Sequence, residues 1–269
     1  MTDRTDPWLA TGALLERLAR RLPVTALGVR SSRTAEIAQI ARSTGHDAIW
    51  VDLEHSTIPV DVAATMCATA AELGLVALVR RPERDYGVIG RLLDGGASGI
   101  IAPRIETADE AADLVAACKF PPLGHRSAIG TLPHFGFRKV PAAEFNETMN
   151  RATLIKVLIE SPIGIENIAD IAAVPGIDLV GIGTNDLTAE MGCPGNFRHP
   201  EVRKAHEAAL AACRSVGKPL AIGGIGDAAY AAELIRLGAA PFLFTGIDTD
   251  LLLEAARERR RLALQPVGG

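Results

Sequence analysis

Short apolar runs alternate with segments of helical periodicity eight times along this chain of 269 residues. Continuous apolar runs bounded by Gly or Asp are typical of strands buried in a parallel sheet, and their alternation with helices is typical of βαβ units. We predict strands at Ala26–Val29, Ala48–Leu53, Val76–Val79, Gly99–Ala102, Leu154–Ile159, Leu179–Gly183, Leu220–Ile222 and Pro241–Thr245. We predict helices at Thr34–Ser43, Val60–Leu73, Tyr86–Leu93, Ala108–Lys119, Gly164–Val174, Pro200–Val216, Ala228–Leu237 and Asp248–Leu264.

Eight such units fit a single-domain (β/α)8 TIM barrel better than an open, doubly wound α/β sheet. The open sheet remains the alternative, but the Gly-rich fingerprint of a dinucleotide site is missing after the first run. We place the barrel at residues 24–269 and a helical extension at residues 1–23. The longest break in the alternation, residues 120–150, is rich in Pro and Gly and is predicted to be a lid on the substrate side.

The charge balance and the cysteines exclude several classes of protein. A formal net charge of −4 with interspersed signs is not the footprint of a nucleic-acid-binding protein. No apolar run approaches the roughly 18 residues that a membrane span needs. The four cysteines are scattered without CxxC spacing, and the N-terminus has no signal-peptide core. We therefore expect a cytoplasmic protein with small-molecule partners.

Charged or polar side chains follow five of the apolar runs, at the end of a barrel where catalytic groups gather. They are Asp52, Glu54 and His55, then Arg80, then Arg104 and Glu106, then Glu160, and then Asn185 and Asp186. Acidic residues in such positions are often helix caps. Glu160 is harder to explain in that way, because Ser161 beside it is the better cap. Together, these charged and polar side chains at one end of the barrel predict a functional site.

Two carboxylates on neighbouring strands, Glu160 and Asp186, can hold a hard divalent cation such as Mg²⁺ or Mn²⁺. A cation with open positions can chelate a 2-oxo acid and act as a Lewis acid on the enolate that forms. Arg80 can stabilise the same oxyanion, and His55 suits proton transfer near neutral pH. These residue types together point to enolate chemistry on a 2-oxo acid.

Seven stretches spread over residues 24–255 also match a known family. They are DAIWVDLEH (47–55), VRRPERD (79–85), LLDGGASGIIAPRIETADEA (92–111), FPPLGHRS (120–127), IESPIGIENI (159–168), GIGTNDLTAEMG (181–192) and TGIDTDLLL (245–253). In these stretches the chain resembles the HpcH/HpaI aldolase and citrate lyase family, in particular its metal-dependent class II pyruvate aldolases. The resemblance implies a carbon–carbon lyase with a TIM-barrel fold.

The resemblance also implies roles for individual residues around the metal. Glu160 and Asp186 match the two metal ligands, for Mg²⁺ or Mn²⁺, with Co²⁺ or another divalent ion as alternatives. Arg80 matches the arginine that contacts the pyruvate oxygen. His55 matches the histidine that acts as a base with a metal-bound water, and Asp94 matches its carboxylate partner.

Further implied positions bind the rest of the substrate. Backbone amides around Gly183 and Asn185 would receive the substrate carboxylate. Thr184 and Asn185 add polar groups beside the oxo acid, where the family commonly carries GPxD rather than GTND. This departure makes hydroxypyruvate plausible as a donor beside pyruvate. Arg126, in the PPxGxR loop, would lie on the aldehyde side of the rim.

The implied reaction is reversible aldol cleavage of a 4-hydroxy-2-oxo acid to pyruvate, or hydroxypyruvate, and an aldehyde. The alternatives are a lyase of malyl-CoA or citryl-CoA type, a decarboxylase of oxo acids, imine chemistry at Lys156, and a metabolite-binding barrel without turnover. The family also implies a homo-oligomer, a hexamer built as a trimer of dimers. In such an assembly the helix at Asp248–Leu264 would be exchanged or packed between subunits.

Overall fold

Eight parallel strands form a barrel, as the sequence predicts. The computed structural model describes Asp6, residues 8–82 and residues 86–265, so the end of the VRRPERD stretch and part of the 1–23 extension lie outside the described residues. The strands pair in the order β7-β6-β5-β4-β3-β2-β1-β8, and every pair is parallel. They are β1 (Val24–Val29), β2 (Ala48–Asp52), β3 (Val76–Arg80), β4 (Gly99–Ala102), β5 (Leu154–Ile159), β6 (Leu179–Gly183), β7 (Leu220–Gly223) and β8 (Phe242–Ile247).

The helices agree with the prediction where apolar periodicity is strong. They are α1 (Trp8–Ala19), α2 (Glu36–Ser43), α3 (Val60–Glu72), α4 (Ile89–Asp94), α5 (Ala108–Cys118), α6 (Ala142–Ala152), α7 (Pro162–Glu166), α8 (Ile168–Ala173), α9 (Thr184–Glu190), α10 (Pro200–Ser215), α11 (Ala228–Leu237) and α12 (Asp248–Leu264). The predicted helix at Gly164–Val174 is two helices that meet at Asn167. Helices α6 and α9 were not predicted.

Strand β5 shows how the sequence divides the core into two layers. Ile155, Val157 and Ile159 point outward and pack under the helices. Leu154 and Leu158 point into the barrel, where they meet interior side chains of the other strands. Because side chains alternate along a strand, Lys156 and Glu160 share the inward face with these two leucines. The interior face of β5 is therefore apolar except at these two charged residues.

The barrel has a seam between β7 and β8. Each of these strands pairs with its other neighbour, but no hydrogen-bonded ladder joins them within the described residues. Strand β8 is also poorly covered, since Leu243 on its outer face and Phe244 on its inner face are each more than one-third exposed. The structure is thus a nearly closed barrel with two free strand edges.

Helix α1 and the long connection after α5 close the amino end of the barrel. Leu14 and Leu18 of α1 join the interior cluster at the first residues of the strands. In the long connection, the ring of His134 contacts the carbonyl of Ala97, just before β4, at 3.1 Å. The prediction that residues 120–150 form a lid on the substrate side is wrong within one chain, because a connection from a helix to the next strand returns to the amino end.

Helix α12 is largely exposed and contacts strands β1 and β8 near its start. Within the described residues, none of its side chains is buried, and Leu251, Leu252 and Leu253 are all exposed. Only its start is anchored, because the Asp248 carboxylate accepts hydrogen bonds from the backbone N–H groups of residues 30–32. Exchange of this helix between subunits stays a prediction.

Each helix within the described residues is too short or too polar to cross a bilayer.

Candidate functional site

A cavity of about 700 Å³ opens at the carboxyl ends of the strands. Six predicted site residues line it: His55, Arg80, Glu160, Gly183, Asn185 and Asp186. Residues that were not predicted for the site lie beside them, among them Trp50, Lys156 and Phe244. The cavity therefore brings together the carboxylates, the arginine and the histidine that the sequence placed on one rim.

Two carboxylates fix the guanidinium of Arg80. Asp52, which is fully buried, accepts hydrogen bonds from Arg80 Nε at 2.9 Å and from Nη2 at 2.7 Å. Glu54 lies 3.1 Å from Nη1. These acidic partners hold the pKa of Arg80 above its usual value, against the opposing effect of burial. Arg80 is thus a permanently charged donor in one orientation.

His55 stands at the mouth of the cavity with more than half of its side chain exposed. Its Nε2 lies 3.6 Å from the Glu54 carboxylate. Its backbone N–H donates to Asp52 Oδ1 at 3.2 Å, and so does that of Glu54 at 3.0 Å. One buried carboxylate therefore shapes the loop that carries His55 and also holds Arg80.

Glu160 enters the cavity from the end of β5 and is only 5% exposed. Its Oε2 accepts the backbone N–H of Arg104 at 3.0 Å, and Arg104 presents that N–H from a left-handed conformation with φ 52°. A Cβ on Gly183 would lie 2.4 Å from Glu160 Oε1, so the glycine provides the space that the carboxylate occupies. Burial raises the pKa of Glu160 to about 7, and the charges of Glu54 and Asp186 add to this effect.

These acidic groups fit a divalent cation. Burial raises the pKa of Glu54 and of Glu160, the negative charge of Asp186 adds to both effects, and a cation placed among the three carboxylates would relieve that repulsion. Within the described residues, no group of three or more His, Cys, Asp or Glu side chains is arranged as a full ligand set. Glu160 and Asp186 would therefore hold a cation with positions left for water or substrate oxygens, as Mg²⁺ and Mn²⁺ prefer.

The side chain of Thr184 does not face the cavity, contrary to the prediction. Thr184 is fully buried at the start of α9, and its hydroxyl lies 3.3 Å from His206 Nε2. His206 Nδ1 in turn lies 3.1 Å from the hydroxyl of Tyr230. Burial lowers the pKa of His206 to about 4, so the imidazole is neutral and links α9 to α10 and α11. Thr184 thus anchors the end of β6 on the side that faces away from the cavity.

Asp94 and Arg126 lie at the other end of the barrel, so two predicted site residues are misplaced within one chain. Asp94 ends α4, and its Oδ1 accepts a hydrogen bond from Arg126 Nη2 at 2.6 Å. The Arg126 guanidinium also lies over the ring of Phe120, 4.7 Å from its centre. The expected pairing of Asp94 with His55 is not formed inside one chain, because α4 runs from the carboxyl end of β3 to the amino end of β4.

A second cavity, of about 660 Å³, lies at the amino end beside α1. Two of its cations are already bonded to backbone carbonyls: Arg21 donates to those of Ile235 and Gly238 at the end of α11, and Lys218 donates to that of Ile177 before β6. Its lining contains a single carboxylate, Asp178, and so lacks the paired carboxylates of the first cavity. The buried cysteines are no candidates either, since burial raises the pKa of Cys67, Cys118 and Cys213 to about 12.

The profile of the HpcH/HpaI aldolase/citrate lyase family matches residues 30–255, which is most of the chain. The chain belongs to this family. One relative is cghB of Chaetomium globosum, a 4-hydroxy-4-methyl-2-oxoglutarate aldolase. It is 41% identical to this chain over 202 residues, which cover 74% of this chain and 75% of that protein. A 2-keto-3-deoxy-L-rhamnonate aldolase of Salmonella schwarzengrund is 33% identical over 232 residues, covering 85% of each chain.

A solved HpcH/HpaI structure agrees with the fold. The crystal structure of an HpcH/HpaI aldolase from Desulfitobacterium hafniense DCB-2 superposes with a TM-score of 0.84 at 28% identity, covering 93% of this chain and 96% of that one. Two kinds of site residue were not predicted from the sequence: those that contribute a backbone N–H group and those whose side chains lie deep inside the barrel. The Arg104 N–H and the inward ring of Trp50 are the main examples, whereas Lys156 was considered only for imine chemistry.

Proposed function

We propose that this HpcH/HpaI family member cleaves 4-hydroxy-2-oxo acids between C3 and C4 in a metal-dependent, reversible aldol reaction. The products are pyruvate, or hydroxypyruvate, and a second carbonyl compound. The observation that carries the proposal is the presence of Glu160, Asp186, the clamped Arg80 and His55 in one cavity. Family relatives named as aldolases support the reaction class.

Glu160 and Asp186 would hold Mg²⁺ or Mn²⁺, or another divalent ion of similar chemistry. When bound, the ion supplies Lewis acidity toward the carboxylate and keto oxygens of a 2-oxo acid. The N–H of Arg104 keeps one oxygen of Glu160 engaged, so that the other is directed toward the cavity. Gly183 leaves room for that oxygen. The side-chain amide of Asn185, which also lines the cavity, supports a polar donor such as hydroxypyruvate beside pyruvate.

Arg80 would stabilise the negative charge that develops on the substrate's C2 oxygen. Asp52 and Glu54 hold the guanidinium before the substrate arrives, so little reorganisation is needed as the charge forms. Trp50 supports its other side, since Arg80 Cζ lies 5.2 Å from the centre of the indole ring. Contacts with Asp52, Glu54 and Trp50 would thus hold the guanidinium in one orientation before the substrate binds.

His55 would take the proton of the 4-hydroxyl, directly or through one water. Loss of that proton allows the C3–C4 bond to break, with the electron pair remaining on C3 as an enolate. Protonation of C3 then gives the free 2-oxo acid. Exposure at the mouth of the cavity lets His55 exchange its proton with solvent, and the Glu54 carboxylate lies 3.6 Å from its Nε2.

The Asp94–Arg126 pair would act on a neighbouring subunit rather than on its own chain. The exposed α12 leucines and the exposed Leu243 on the outer face of β8 support an oligomer, in which α12 packs on another copy. A hexamer built as a trimer of dimers is the form that the family resemblance favours. In it, the amino end of one barrel, with Asp94 and Arg126, would approach the mouth of another.

Release of pyruvate from 4-hydroxy-4-methyl-2-oxoglutarate is the decisive assay, because C3–C4 cleavage of this substrate yields two pyruvates. We expect release that stops with a chelator and returns with Mg²⁺ or Mn²⁺, and that is lost in Glu160→Gln. Glu190→Gln, which removes an exposed partner of Arg104, is the matched control. Undiminished activity in the chelated enzyme would overturn the metal-dependent reaction.

Mixed oligomers test the placement of Asp94. Asp94→Asn and Glu160→Gln subunits are each expected to be inactive alone. Unfolded together and refolded as a mixture, they should regain part of the activity, because some sites then combine an intact Glu160 with an intact Asp94 from the neighbour. A mixture that stays inactive, with both variants correctly assembled by sedimentation, would contradict a site shared between subunits.

A further inference from the structure

The two carboxylates that would hold the cation are fixed to different degrees. Glu160 is held by the N–H of Arg104, which donates to its Oε2 at 3.0 Å. Within the described residues, the Asp186 carboxylate accepts no hydrogen bond and forms no ion pair. Its position therefore depends on the backbone of α9, the helix that carries it. The anchor at the start of this helix sets the separation of the two carboxylates.

Helix α9 begins without the side-chain cap that usually holds a helix start. Its N-cap is Gly183, which has no side chain to accept an N–H group of the first turn, and the helix is only seven residues long. The later part is held, because Thr188 Oγ1 donates to the carbonyl of Asn185 at 2.8 Å and accepts the N–H of Gly195 at 3.1 Å. The first turn needs a different anchor.

Packing limits the movement of this first turn toward the cavity. A Cβ on Gly224 would lie 3.2 Å from the backbone N of Asn185 and 3.3 Å from that of Thr184. A Cβ on Gly183 would lie 2.4 Å from Glu160 Oε1. The turn is therefore in close contact with the cavity wall on one side, and its other side faces the outer layer of helices.

On that other side, the first turn is anchored by a histidine. Thr184, the first residue of α9, and His206 of α10 are both fully buried, and Thr184 Oγ1 lies 3.3 Å from His206 Nε2. Nδ1 of the same ring lies 3.1 Å from the hydroxyl of Tyr230 on α11. A neutral imidazole has one N–H group and one lone pair, and each hydroxyl can donate or accept. Both contacts can therefore be hydrogen bonds at once.

A polar residue at this position differs from its neighbours in the packing layer. The other buried side chains of α10 are all apolar: Val202, Ala209, Leu210 and Cys213. A buried polar group must be hydrogen-bonded to avoid a cost in free energy, and an apolar side chain would have no such requirement. What His206 adds is a directed contact with two hydroxyl groups, one of which belongs to the helix start that carries Asp186.

We propose that His206 is a positioning residue for the metal ligand Asp186, acting through the hydroxyl of Thr184, and that Tyr230 holds the imidazole in the required orientation. The inference rests on the proposed function for the role of Asp186 as a ligand. Without the contact, the first turn of α9 shifts while Glu160 stays in place on β5. The two carboxylates then bind one cation less tightly.

Calorimetric titration of the metal-free protein with Mn²⁺ tests this role. Thr184→Val keeps the shape of residue 184 and removes its hydroxyl, and His206→Leu removes both ring nitrogens. Each variant is expected to bind Mn²⁺ about tenfold more weakly, the lower end of the range for residues that hold a metal ligand in place. The double variant should bind no more weakly than the weaker single variant, because both changes break the same contact.

Two amide replacements of His206 separate positioning from a purely structural role. The amide of glutamine reaches the place of Nε2, beside Thr184, whereas the amide of asparagine reaches the place of Nδ1, beside Tyr230. His206→Gln should therefore retain most of the Mn²⁺ affinity, and His206→Asn should lose about tenfold. Each variant loses one of the two hydrogen bonds, so a structural role alone would lower the metal affinity and the free energy of unfolding of both to a similar extent.

His46→Leu is the matched control, because His46 also lies between two hydroxyl groups. Its Nδ1 is 2.8 Å from Thr44 Oγ1 and its Nε2 is 2.8 Å from Thr245 Oγ1, and neither threonine is on an element that carries a metal ligand. This variant should bind Mn²⁺ as the native protein does. Asp186→Asn is the reference for a lost ligand and should bind Mn²⁺ more weakly than any His206 variant.

Three results would overturn the positioning role. They are native Mn²⁺ affinity in both Thr184→Val and His206→Leu, additive losses in the double variant, and equal affinities of His206→Gln and His206→Asn. Native affinity in Asp186→Asn would refute Asp186 as a ligand, and the proposed metal site would fail together with the inference. Should His206→Leu fail to fold, Thr184→Val and the two amide variants decide the question.

Discussion

The Asp52 carboxylate accepts two hydrogen bonds from the Arg80 guanidinium, at 2.9 Å from Nε and 2.7 Å from Nη2. The same carboxylate accepts the backbone N–H groups of Glu54 and His55. One fully buried side chain thus sets the orientation of the arginine and the path of the loop that carries the histidine. Asp52 is a positioning residue for both halves of the site.

Replacing Asp52 with Asn is expected to lower kcat by about 10²- to 10³-fold, the usual effect of losing one oriented stabiliser of an oxyanion. The amide cannot accept both guanidinium bonds, so Arg80 loses its fixed orientation. Metal affinity, measured by calorimetry, should change little, because Glu160 and Asp186 are untouched. A fall in metal affinity as large as the fall in kcat would contradict a role through Arg80.

Gly183→Ala is expected to weaken metal binding by about 10- to 100-fold, the range for changes beside a metal ligand. The new Cβ would meet Glu160 Oε1 at 2.4 Å and push the carboxylate away from the cavity centre. Gly223→Ala is a matched strand-end control on the next strand, where the nearest atom would be 3.8 Å away. Similar metal affinities for the two variants would argue against Glu160 as a ligand.

The contribution of Glu160 to the stability of the metal-free protein should fall as the pH rises from about 4.5 to 7, whereas burial lowers the pKa of His134 and His206 to about 4 and makes their contributions rise over this range. Burial raises the pKa of Glu160 from 4.5 to about 7, so the folded state holds a proton that the unfolded state has released. The stabilisation is fully present below pH 4.5 and is lost as the pH rises through 7, about 3 kcal/mol in total. Denaturant titrations in a chelator at several pH values measure this loss as the difference between the native protein and Glu160→Gln, because the histidine contributions are common to both.

Glu160→Gln isolates the contribution of this one carboxyl group. The variant should match the native protein near pH 4.5 and be the more stable of the two at pH 8, where the native glutamate is charged. Adding Mg²⁺ or Mn²⁺ at pH 8 should stabilise the native protein and leave the variant unchanged. Parallel pH curves for the two proteins would refute the raised pKa.

His55→Gln is expected to lower kcat by about 10²- to 10⁴-fold, the range for a lost general base, and to leave 2-oxo acid binding nearly intact. The reason is that His55 stands at the cavity mouth, apart from the carboxylates that would hold the metal. His199→Asn is the control, since Asn can replace His199 as the residue that caps α10. Loss of binding and turnover together would point to a structural role for His55.

The strands and the main site residues were predictable because buried parallel strands are continuous apolar runs with polar residues at their ends. Helix α6 was missed although its signal was present: Phe145, Met149 and Ala152 recur at helical spacing and are all buried. Helix α9 was missed because Gly183 and Thr184 continue an apolar run, and the chain turns into a helix without a polar cap.

The misplacement of Asp94 and Arg126 has a different cause. Both residues were assigned to the site from the family resemblance, and the length of the connection at residues 120–150 suggested a substrate lid, but a connection from a helix to a strand lies at the amino end of a barrel. That rule was available from the predicted order of elements alone. The backbone contribution of Arg104 was not, since a left-handed φ at an arginine leaves no mark on the sequence.

The seam between β7 and β8 makes the barrel a curled sheet with two edges rather than a sealed ring. The cavity touches both edges, through Gly223 on one side and Phe244 on the other. The lumen can therefore widen by a small separation of these edges without breaking any strand ladder. A substrate with a bulkier tail would require separation along this one line only, since the other seven strand junctions are hydrogen-bonded ladders.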